Sequence, residues 1–501
     1  MFVHEVIQSG ADSDIAVIDK SRQLTYGELR QETAACRNRL YAAGLRAGER
    51  AGIFSRNRTE YICTYLAIAS LGAIAVPINF QLSARETAYI LKDADIHHLI
   101  TDRCLDLENA LQTVQYAGQL VQHDIAKIAI PAQLPAAPSL PADFADESSC
   151  AIIYTSGTTG VPKGAVLSHR NLTRDSEMLQ EVLHIQATDN VLCVLPMYHC
   201  FAWTCSVLNP LHYGAAITIL DSFAPKETID IIRHKKVSIL YVVPSICSLL
   251  TKLASLDDIA SVRYVVIGGT TLPLQIAKNF TQKFGLDIIE GYGLSEASPV
   301  VAVNPPARVK VGSIGLPLPG TKIRIIDSQG QDVPTGESGE LLIRGDMVML
   351  GYWNLPQATE DALQDAWLHT SDIARQDEDG YLYIVDRLKD MIISMGENIY
   401  PREIEELIYA YPGIHEAAVI GIEDRLRGQA GACFYSVQEG DTVDVRSLKK
   451  HLQQNLALYK IPREFHELPL LPRTTTGKIA KREILAAYQA QKTAARQKDK
   501  I

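Results

Sequence analysis

The chain has 501 residues, a net charge of −10, 47% hydrophobic residues and 21% charged residues. Intrinsic disorder is excluded as the overall class, because a chain this long and this apolar can bury several cores without disulfides or structural metals. The acidic balance argues against a general nucleic-acid binder. The nine cysteines are odd in number and form no CxxC pair, so the sequence predicts neither a disulfide framework nor a zinc ribbon.

Targeting signals are not expected in this chain. The N-terminus lacks the basic region and apolar run of a signal peptide. The longest weakly polar stretch, residues 67–78, is shorter than the roughly 20 residues of a spanning helix. We therefore expect a cytoplasmic protein, and peripheral contact with a membrane stays open. The expected oligomeric state is a monomer or a homodimer.

Helical and strand patterns alternate over the first 150 residues, which predicts crossover connections and a largely parallel sheet. Thr25 with Glu28, and Ser83 with Glu86, have the spacing of capping boxes and predict the starts of two helices. Apolar runs predict strands at residues 51–54, 73–78 and 98–101. The Pro- and Ala-rich stretch 130–141 is expected to be a surface loop.

A second alternating block covers residues 150–304. Its predicted buried strands are residues 151–154, 191–195, 216–220, 239–243 and 264–267. From residue 305 the pattern changes, because residues 322–326 and 340–344 alternate apolar and polar side chains between turn formers. This alternation predicts a small antiparallel subdomain.

A new α/β pattern follows the charged segment 386–390, so we place a domain boundary near Lys389. The predicted fold class is α/β. A large N-terminal domain, residues 1–388, comprises two parallel α/β subdomains and a small antiparallel β subdomain. A small α+β C-terminal domain, residues 389–501, follows. Its polar, basic tail is expected to fray from residue 489.

One segment has the composition of a phosphate-binding loop. It reads Tyr154-Thr-Ser-Gly-Thr-Thr-Gly-Val-Pro-Lys-Gly164 and follows an apolar strand. Glycines let backbone N–H groups approach an anion, hydroxyls donate hydrogen bonds, and the lysine adds positive charge. It is not a Walker A loop, because Pro162 stands where that motif requires its second glycine.

This loop closely resembles the signature loop of the adenylate-forming superfamily, which includes acyl-CoA synthetases, aryl-CoA ligases, luciferases and peptide-synthetase adenylation domains. Further segments resemble the family in the same order along nearly the whole chain. They are Glu290-Gly-Tyr-Gly-Leu-Ser-Glu296, Trp367-Leu-His-Thr-Ser-Asp372, Asp386-Arg-Leu-Lys-Asp390, Gly396-Glu-Asn-Ile-Tyr-Pro-Arg-Glu-Ile-Glu405 and Pro472-Arg-Thr-Thr-Thr-Gly-Lys478.

The resemblance implies ATP, Mg²⁺ and coenzyme A as ligands and assigns roles to individual residues. Catalysis is assigned to Lys478, Glu296 and Ser295, and Mg²⁺ binding to Glu296 and Thr155. The family usually has Thr at position 295 and Gly at position 371, where this chain has Ser. The residues assigned to ATP binding are Thr155, Ser156, Gly157, Thr158, Thr159, Gly160, Lys163, Gly269, Thr270, Glu290, Gly291, Tyr292, Gly293, Asp372 and Arg387.

The resemblance also implies a mobile C-terminal domain that rotates at Lys389, the hinge position of the family. In one state Lys478 reaches the active site for adenylation. In the other, the segment around Gly396 lines the channel for the pantetheine arm of CoA. Contacts with substrate and CoA are assigned to His199, Lys389, Met395 and Gly396.

The acyl pocket is expected within residues 198–220, near residues 242–245 and beside residues 268–271. Residues 198–220 contain no Asp, Glu, Lys or Arg. A buried substrate ammonium would have no partner there, which disfavours an amino-acid substrate. The mix of His199, Phe201, Trp203 and neighbouring cysteines suits an aliphatic or aryl tail.

The expected function is therefore that of an ATP-dependent acid–CoA ligase acting on a medium- or long-chain fatty acid. Three alternatives stay open. They are an aryl-CoA ligase of the hydroxycinnamate or benzoate type, an enzyme that transfers the acyl-adenylate to a carrier protein, and an inactive scaffold relative. The expected partners are a small carboxylic acid, ATP and CoA, with no nucleic acid.

Overall fold

The computed structural model describes residues 1–130, 134–155, 162–270, 272–388, 390–394, 397–424, 426–473 and 479–498, with the backbone alone for 493–498. The strands of the first 304 residues are β1 Ile15–Ile18, β2 Gln23–Thr25, β3 Arg50–Phe54, β4 Ile74–Pro77, β5 Ile96–Thr101, β6 Val121–Asp124, β7 Ser149–Thr155, β8 Lys163–Ser168, β9 Asn190–Cys193, β10 Ala216–Ile219, β11 Ile239–Val242, β12 Tyr264–Ile267, β13 Ile288–Gly293 and β14 Val300–Val303. The helices of this part are α1 Tyr26–Ala42, α2 Thr59–Ser70, α3 Ala84–Asp93, α4 Glu108–Thr113, α5 Ile125–Ile128, α6 His169–Leu183, α7 Asn209–His212, α8 Pro225–His234, α9 Pro244–Leu253 and α10 Leu274–Phe284.

The remainder of the chain has shorter strands and fewer helices. Its strands are β15 Leu316–Pro317, β16 Lys322–Ile326, β17 Gly339–Arg344, β18 Gly351–Tyr352, β19 Leu363–Gln364, β20 Trp367–Gln376, β21 Leu382–Arg387, β22 Ile392–Ser394, β23 Glu397–Ile399, β24 Ile414–Asp424, β25 Gly428–Val437 and β26 Glu464–Glu467. Its helices are α11 Pro356–Ala362, α12 Pro401–Tyr409, α13 Val445–Asn455 and α14 Lys481–Lys498.

Two large sheets confirm the predicted parallel α/β subdomains. The first has the order β15-β14-β13-β12-β11-β9-β10-β1-β2, and its strands from β1 to β13 along that order pair in parallel. The second has the order β18-β8-β7-β4-β3-β5-β6, with parallel pairing from β7 to β6. Parallel strands need crossover connections, which is why helical and strand patterns alternate in the sequence.

Two smaller sheets are mainly antiparallel. One has the order β16-β17-β20-β19, with β21 beside β20, and the other has the order β23-β22-β25-β24, with β26 beside β25. In the latter, β24 and β25 form a long antiparallel hairpin and β26 pairs in parallel. Helices α12 and α13 supply apolar side chains to its core, which gives the predicted small α+β domain.

The chain forms two compact units. The first consists of Met1–Leu272, Ile276–Ile323 and Leu342–His369, and the second of Pro273–Gln275, Arg324–Leu341 and Thr370–Ile501. In the first unit, separate apolar clusters form around β9, β11 and β12 and around β3, β4 and β5. In the second unit, two clusters lie around β24 and β25.

The helix starts agree with the predicted capping boxes. The Glu28 N–H donates to Thr25 Oγ1 at 3.2 Å, and the Glu28 carboxylate accepts the Thr25 N–H at 2.8 Å. Ser83 and Glu86 form the same reciprocal pair at α3. These bonds satisfy N–H groups that have no partner inside the helix.

The apolar stretch 67–78 and the C-terminal segment up to Lys498 both form regular structure. The apolar stretch 67–78 is buried in α2 and β4, and within the described part of the chain no helix is both long and apolar enough to cross a membrane. The predicted fraying from residue 489 was wrong, because α14 continues to Lys498. Lys, Arg, Gln and Ala make up most of that segment, and all four favour helices.

Candidate active site

The predicted phosphate loop connects the antiparallel strands β7 and β8. Thr155 and Lys163 face each other at its two ends, and the Thr155 hydroxyl lies 3.5 Å from the Lys163 carbonyl oxygen. The next residue, Gly164, has no room for a side chain, because a Cβ there would lie 2.5 Å from Ile152 Cγ2. Several predicted site residues lie outside the described residues, namely Ser156, Gly157, Thr158, Thr159, Gly160, Lys389, Met395, Gly396 and Lys478.

The predicted adenine segment is the end of β13. Glu290 is buried there, while Gly291, Tyr292 and Gly293 are partly exposed. These three residues pair with β14, and a Cβ on Gly293 would lie 2.0 Å from the Pro299 carbonyl oxygen. Only glycine permits this close backbone approach, so the residue after Tyr292 has to be glycine for β13 to pair with β14.

Ser295 and Glu296 lie in the short helical turn that follows β13. The Ser295 hydroxyl is 3.4 Å from Cys200 Sγ, and the Tyr352 hydroxyl donates to Glu296 Oε1 at 2.8 Å. Cys200 is one of the cysteines that the sequence placed in the predicted acyl pocket, whereas Tyr352 was not predicted at this site. The sequence around Tyr352 does not indicate its contact with Glu296, because the two residues are 56 positions apart in the chain.

Tyr352 brings the predicted phosphate and metal residues together. Its ring centroid lies 5.1 Å from Lys163 Nζ, while its hydroxyl holds Glu296. Burial, with a further contribution from the Glu296 charge, raises the pKa of Tyr352 well above its ordinary value. The hydroxyl therefore stays protonated at neutral pH and can donate to the carboxylate.

His199 and Phe201 mark the predicted acyl pocket. The Phe201 N–H donates to His199 Nδ1 at 3.2 Å, and a neutral imidazole that accepts at Nδ1 carries its proton on Nε2. A Cβ on Gly268 would lie 3.3 Å from Phe201 Cζ. Gly269, with φ of +78°, and the exposed Thr270 follow directly. His199 can thus donate a hydrogen bond, and Phe201 forms an apolar wall beside Gly268.

The helix after His199 contains a π-helical stretch, Ala202–Leu208, that the sequence did not predict. Trp203, interpreted from the sequence as a pocket residue, lies in this stretch with 2% of its surface exposed. Its ring packs 3.9 Å from that of Tyr65, centroid to centroid. Trp203 therefore packs in the protein core against Tyr65.

The predicted ribose residues lie in the second compact unit. Asp372 on β20 and Arg387 on β21 are register partners, and Arg387 Nε lies 3.2 Å from Asp372 Oδ1. Asp372 is buried, with 6% exposed, and its N–H donates to Thr370 Oγ1 at 3.1 Å. A carboxylate fixed in this way can accept both hydroxyls of a vicinal diol.

Ser371 precedes Asp372 and has φ of +56°, in the left-handed region. Its carbonyl accepts the Leu388 N–H at 2.9 Å, and its own N–H donates to Glu340 Oε1 at 3.2 Å. The strained backbone is thus held by hydrogen bonds on both sides. A side chain with a Cβ is disfavoured in this conformation, whereas glycine adopts it freely.

We predict that Ser371→Gly stabilises the protein by about 0.5–1 kcal/mol, because relief of the left-handed strain exceeds the added entropy of the unfolded chain. The measurement is the shift in the urea unfolding midpoint. Ser328→Gly is the matched control, since Ser328 is exposed and has no positive φ. It should leave stability unchanged or lower it. An equal effect of both substitutions would contradict the assignment of strain to Ser371.

Comparison with known proteins identifies the family of the chain. The family model described as "AMP-binding enzyme" matches residues 5–353, and "AMP-binding enzyme C-terminal domain" matches residues 403–478. The chain belongs to the AMP-binding enzyme family. This places it in the adenylate-forming superfamily, as the sequence motifs predicted, with a large N-terminal and a small C-terminal domain.

Relatives of this AMP-binding enzyme are similar over most of its length. Feruloyl-CoA synthase from Amycolatopsis sp is 36% identical over 92% of this chain and 93% of its own. A long-chain-fatty-acid–CoA ligase from Bacillus subtilis is 30% identical over 93% and 90%. The structure of o-succinylbenzoate CoA synthetase from Bacillus subtilis with ATP and magnesium ion has a TM-score of 0.85 at 28% identity, covering 95% and 97%. The chain is thus an adenylate-forming enzyme of the acid–CoA ligase class.

Proposed function

We propose that this AMP-binding enzyme joins a hydrophobic monocarboxylic acid to coenzyme A in two steps. The carboxylate attacks the α-phosphorus of ATP and forms acyl-AMP with release of pyrophosphate. The CoA thiol then attacks the acyl carbon, so that acyl-CoA forms and AMP leaves. The acid–CoA ligase relatives support this reaction. The Glu296 carboxylate, held by the Tyr352 hydroxyl, supports the binding of ATP with Mg²⁺ in the first step.

The residues around Glu296 fit Mg²⁺ by their donor chemistry. Glu296 and Thr155 offer oxygen ligands, and Mg²⁺ bound to nucleotide phosphates takes one or two carboxylates or hydroxyls while it keeps water. Mg²⁺ supplies charge neutralisation for the phosphates when bound. Lys163 adds positive charge for the phosphates, and Ser295 offers a hydroxyl to the α-phosphate. Glu290, Gly291, Tyr292 and Gly293 would receive adenine, with Gly269 and Thr270 beside the nucleotide.

Residues of the second compact unit take the remaining roles in this proposal. Asp372 accepts the ribose hydroxyls, and Arg387 donates to ribose or phosphate. Lys478 stabilises charge as the carboxylate attacks. Residues 389–501 then act as a mobile domain that turns at Lys389, so that Met395 and Gly396 contact the pantetheine arm in the second step.

The absence of charged residue types from residues 198–220 carries the proposal of a hydrophobic tail. Within this segment Tyr198 is 8% exposed, and Phe201 meets Tyr241 edge to face at 6.0 Å between ring centroids. Phe201 also lies against Gly268, where a Cβ would be 3.3 Å from the Phe201 Cζ. His199 Nε2–H would donate to the substrate carboxylate. We propose a medium- or long-chain fatty acid as the substrate.

A hydroxycinnamate or benzoate type of acid is the second candidate. The feruloyl-CoA synthase relative, at 36% identity, favours it. The rings of Phe201 and Tyr241 could stack or pack edge to face with an aryl tail. Aryl and alkyl acids therefore have to be compared directly.

A substrate panel tests both candidates. Purified protein is mixed with ATP, Mg²⁺ and CoA and with acetate, octanoate, palmitate, benzoate, cinnamate or ferulate, and AMP and thioester are measured. We expect turnover of octanoate or palmitate to exceed that of acetate at least tenfold, because each buried CH₂ contributes about 0.8 kcal/mol. A higher kcat/KM for ferulate or cinnamate would favour the aryl candidate.

Other outcomes of the panel distinguish the remaining alternatives. Acyl-adenylate formation without consumption of CoA would favour transfer to a carrier protein. A protein that forms neither AMP nor thioester with any acid would contradict the proposed ligase and favour an inactive relative.

A further inference from the structure

Tyr352 contacts two of the residues through which the nucleotide is proposed to bind, Glu296 and Lys163. Its hydroxyl donates to Glu296 Oε1 at 2.8 Å, and its ring lies under Lys163 Nζ at 5.1 Å. Glu296 comes from the turn after β13 in one large sheet, whereas Lys163 begins β8 in the other. A single aromatic side chain therefore joins the carboxylate to the end of the phosphate loop.

The backbone of Tyr352 is fixed from three directions. Strand β18 pairs antiparallel with β8, so that Tyr352 lies opposite Ala165. The Trp353 N–H donates to the Gly164 carbonyl at 2.7 Å, and the Tyr352 N–H donates to Thr359 Oγ1 at 2.8 Å. Because β8 starts at Lys163, the position of Tyr352 is tied to the same strand that closes the phosphate loop.

The Glu296 main chain is held by the same segment. Its carbonyl oxygen accepts the Met349 N–H at 2.8 Å, three residues before Tyr352. Residues 349–352 therefore donate one hydrogen bond to the Glu296 carboxylate and another to the Glu296 backbone carbonyl. A carboxylate held at one oxygen has fewer orientations to lose when a cation binds.

We propose that Tyr352 is a positioning residue for the Mg²⁺–ATP site. Its hydroxyl fixes the orientation of the Glu296 carboxylate and leaves that carboxylate's remaining lone pairs available to the ion. Its ring attracts the Lys163 ammonium to the loop by a cation–π interaction. The proposal rests on the proposed role of Glu296 in Mg²⁺ binding.

The test is Tyr352→Phe, which removes the hydroxyl and keeps the ring. Binding of α,β-methylene-ATP is measured by calorimetry over a range of Mg²⁺ concentrations, with no acid substrate present. The Mg²⁺ concentration required for half-maximal enhancement of nucleotide affinity is expected to rise about tenfold, as is typical when a ligand's hydrogen-bond partner is removed. An unchanged Mg²⁺ dependence would overturn the proposal.

Further variants separate positioning from folding. Tyr116→Phe is the matched control, because the Tyr116 hydroxyl donates to the Ile96 carbonyl at 2.7 Å away from the site; it should leave the Mg²⁺ dependence unchanged. In a Glu296→Gln background, Tyr352→Phe should add little further loss. Full additivity of the two losses would contradict the proposal. This cycle still decides the question if Tyr352→Phe alone lowers the unfolding temperature.

The role of the ring is tested with Tyr352→Leu. This variant should bind the nucleotide more weakly than Tyr352→Phe even at saturating Mg²⁺, whereas equal affinities would contradict the contact with Lys163. If the unaltered protein binds the analogue with no dependence on Mg²⁺, the proposed function fails. If its binding depends on Mg²⁺ and that of Tyr352→Phe is unaltered, only the role of Tyr352 fails.

Discussion

Replacing Lys478 with alanine is expected to lower acid-dependent pyrophosphate exchange at least a hundredfold, about the effect of removing one group that stabilises transition-state charge. Thioester formation from supplied acyl-adenylate should stay close to that of the unaltered enzyme. The difference arises because the carboxylate attack brings two anions together, whereas the thiol attack occurs at a neutral carbonyl. The measurement is each half-reaction in isolation, with the acid that the substrate panel identifies.

Lys450→Ala provides a matched control on the exposed face of α13 and should change neither half-reaction. An equal loss in both half-reactions would contradict a two-state rotation at Lys389. The described residues on either side of Lys478 pair with each other. Arg473 and Ile479 form an antiparallel bridge, and the Ala480 N–H donates to the Pro472 carbonyl at 2.8 Å.

Replacing Lys481 with methionine is expected to destabilise the protein by about 2–3 kcal/mol, less than the full cost of breaking a deeply buried ion pair. Lys481 Nζ lies 2.7 Å from Glu405 Oε1, with only 24% of the lysine and 16% of the glutamate side chain exposed. Asp386, 7% exposed, faces the same ammonium. Loss of the lysine leaves two buried carboxylates without their cation. Chemical denaturation measures the effect.

The same variant should steepen the dependence of stability on pH. Burial raises the pKa of Asp386 to about 6, and the charge of Lys481 opposes this rise. Since the pKa is higher folded than unfolded, the folded state holds the proton more tightly, and stability falls as pH rises through 6. Without Lys481 the pKa rises further, so the loss between pH 5 and pH 8 should exceed that of the unaltered protein.

Lys492→Met is the control on the same helix. Lys492 pairs with Glu464 at 2.9 Å, but 47% of its side chain is exposed. An exposed ion pair contributes about 0–1 kcal/mol because water screens it. A similar loss in both variants would contradict the assigned importance of burial around Lys481.

Local patterns predicted much of the fold. Residues 264–267 were predicted as a strand and form β12 with the same bounds, because a run of β-branched residues suits a buried parallel strand. The helix starts at Thr25 and Ser83 followed from capping residues three positions apart. Such features depend on neighbours in the chain and can therefore be found in a single sequence.

Other features depend on distant residues, and the sequence alone could not provide them. The length of β24 is one example, because pairing with β25 extends strand geometry into polar residues at both of its ends. Tyr352 meets Glu296 only through the pairing of β18 with β8. The left-handed conformation of Ser371 also stayed hidden, since nothing in a serine's identity favours it.

The π-helical stretch Ala202–Leu208 has a consequence for the orientation of His199. A π-turn contains one residue more than an α-turn, and each residue of an α-helix turns the chain by about 100°. The side chains before and after the stretch are therefore out of phase. Downstream, Asn209 is anchored by its bond to the Ser176 carbonyl at 2.8 Å. Deleting one residue from this stretch would therefore change the helical phase between Asn209 and the turn that follows His199, without any substitution of His199 itself.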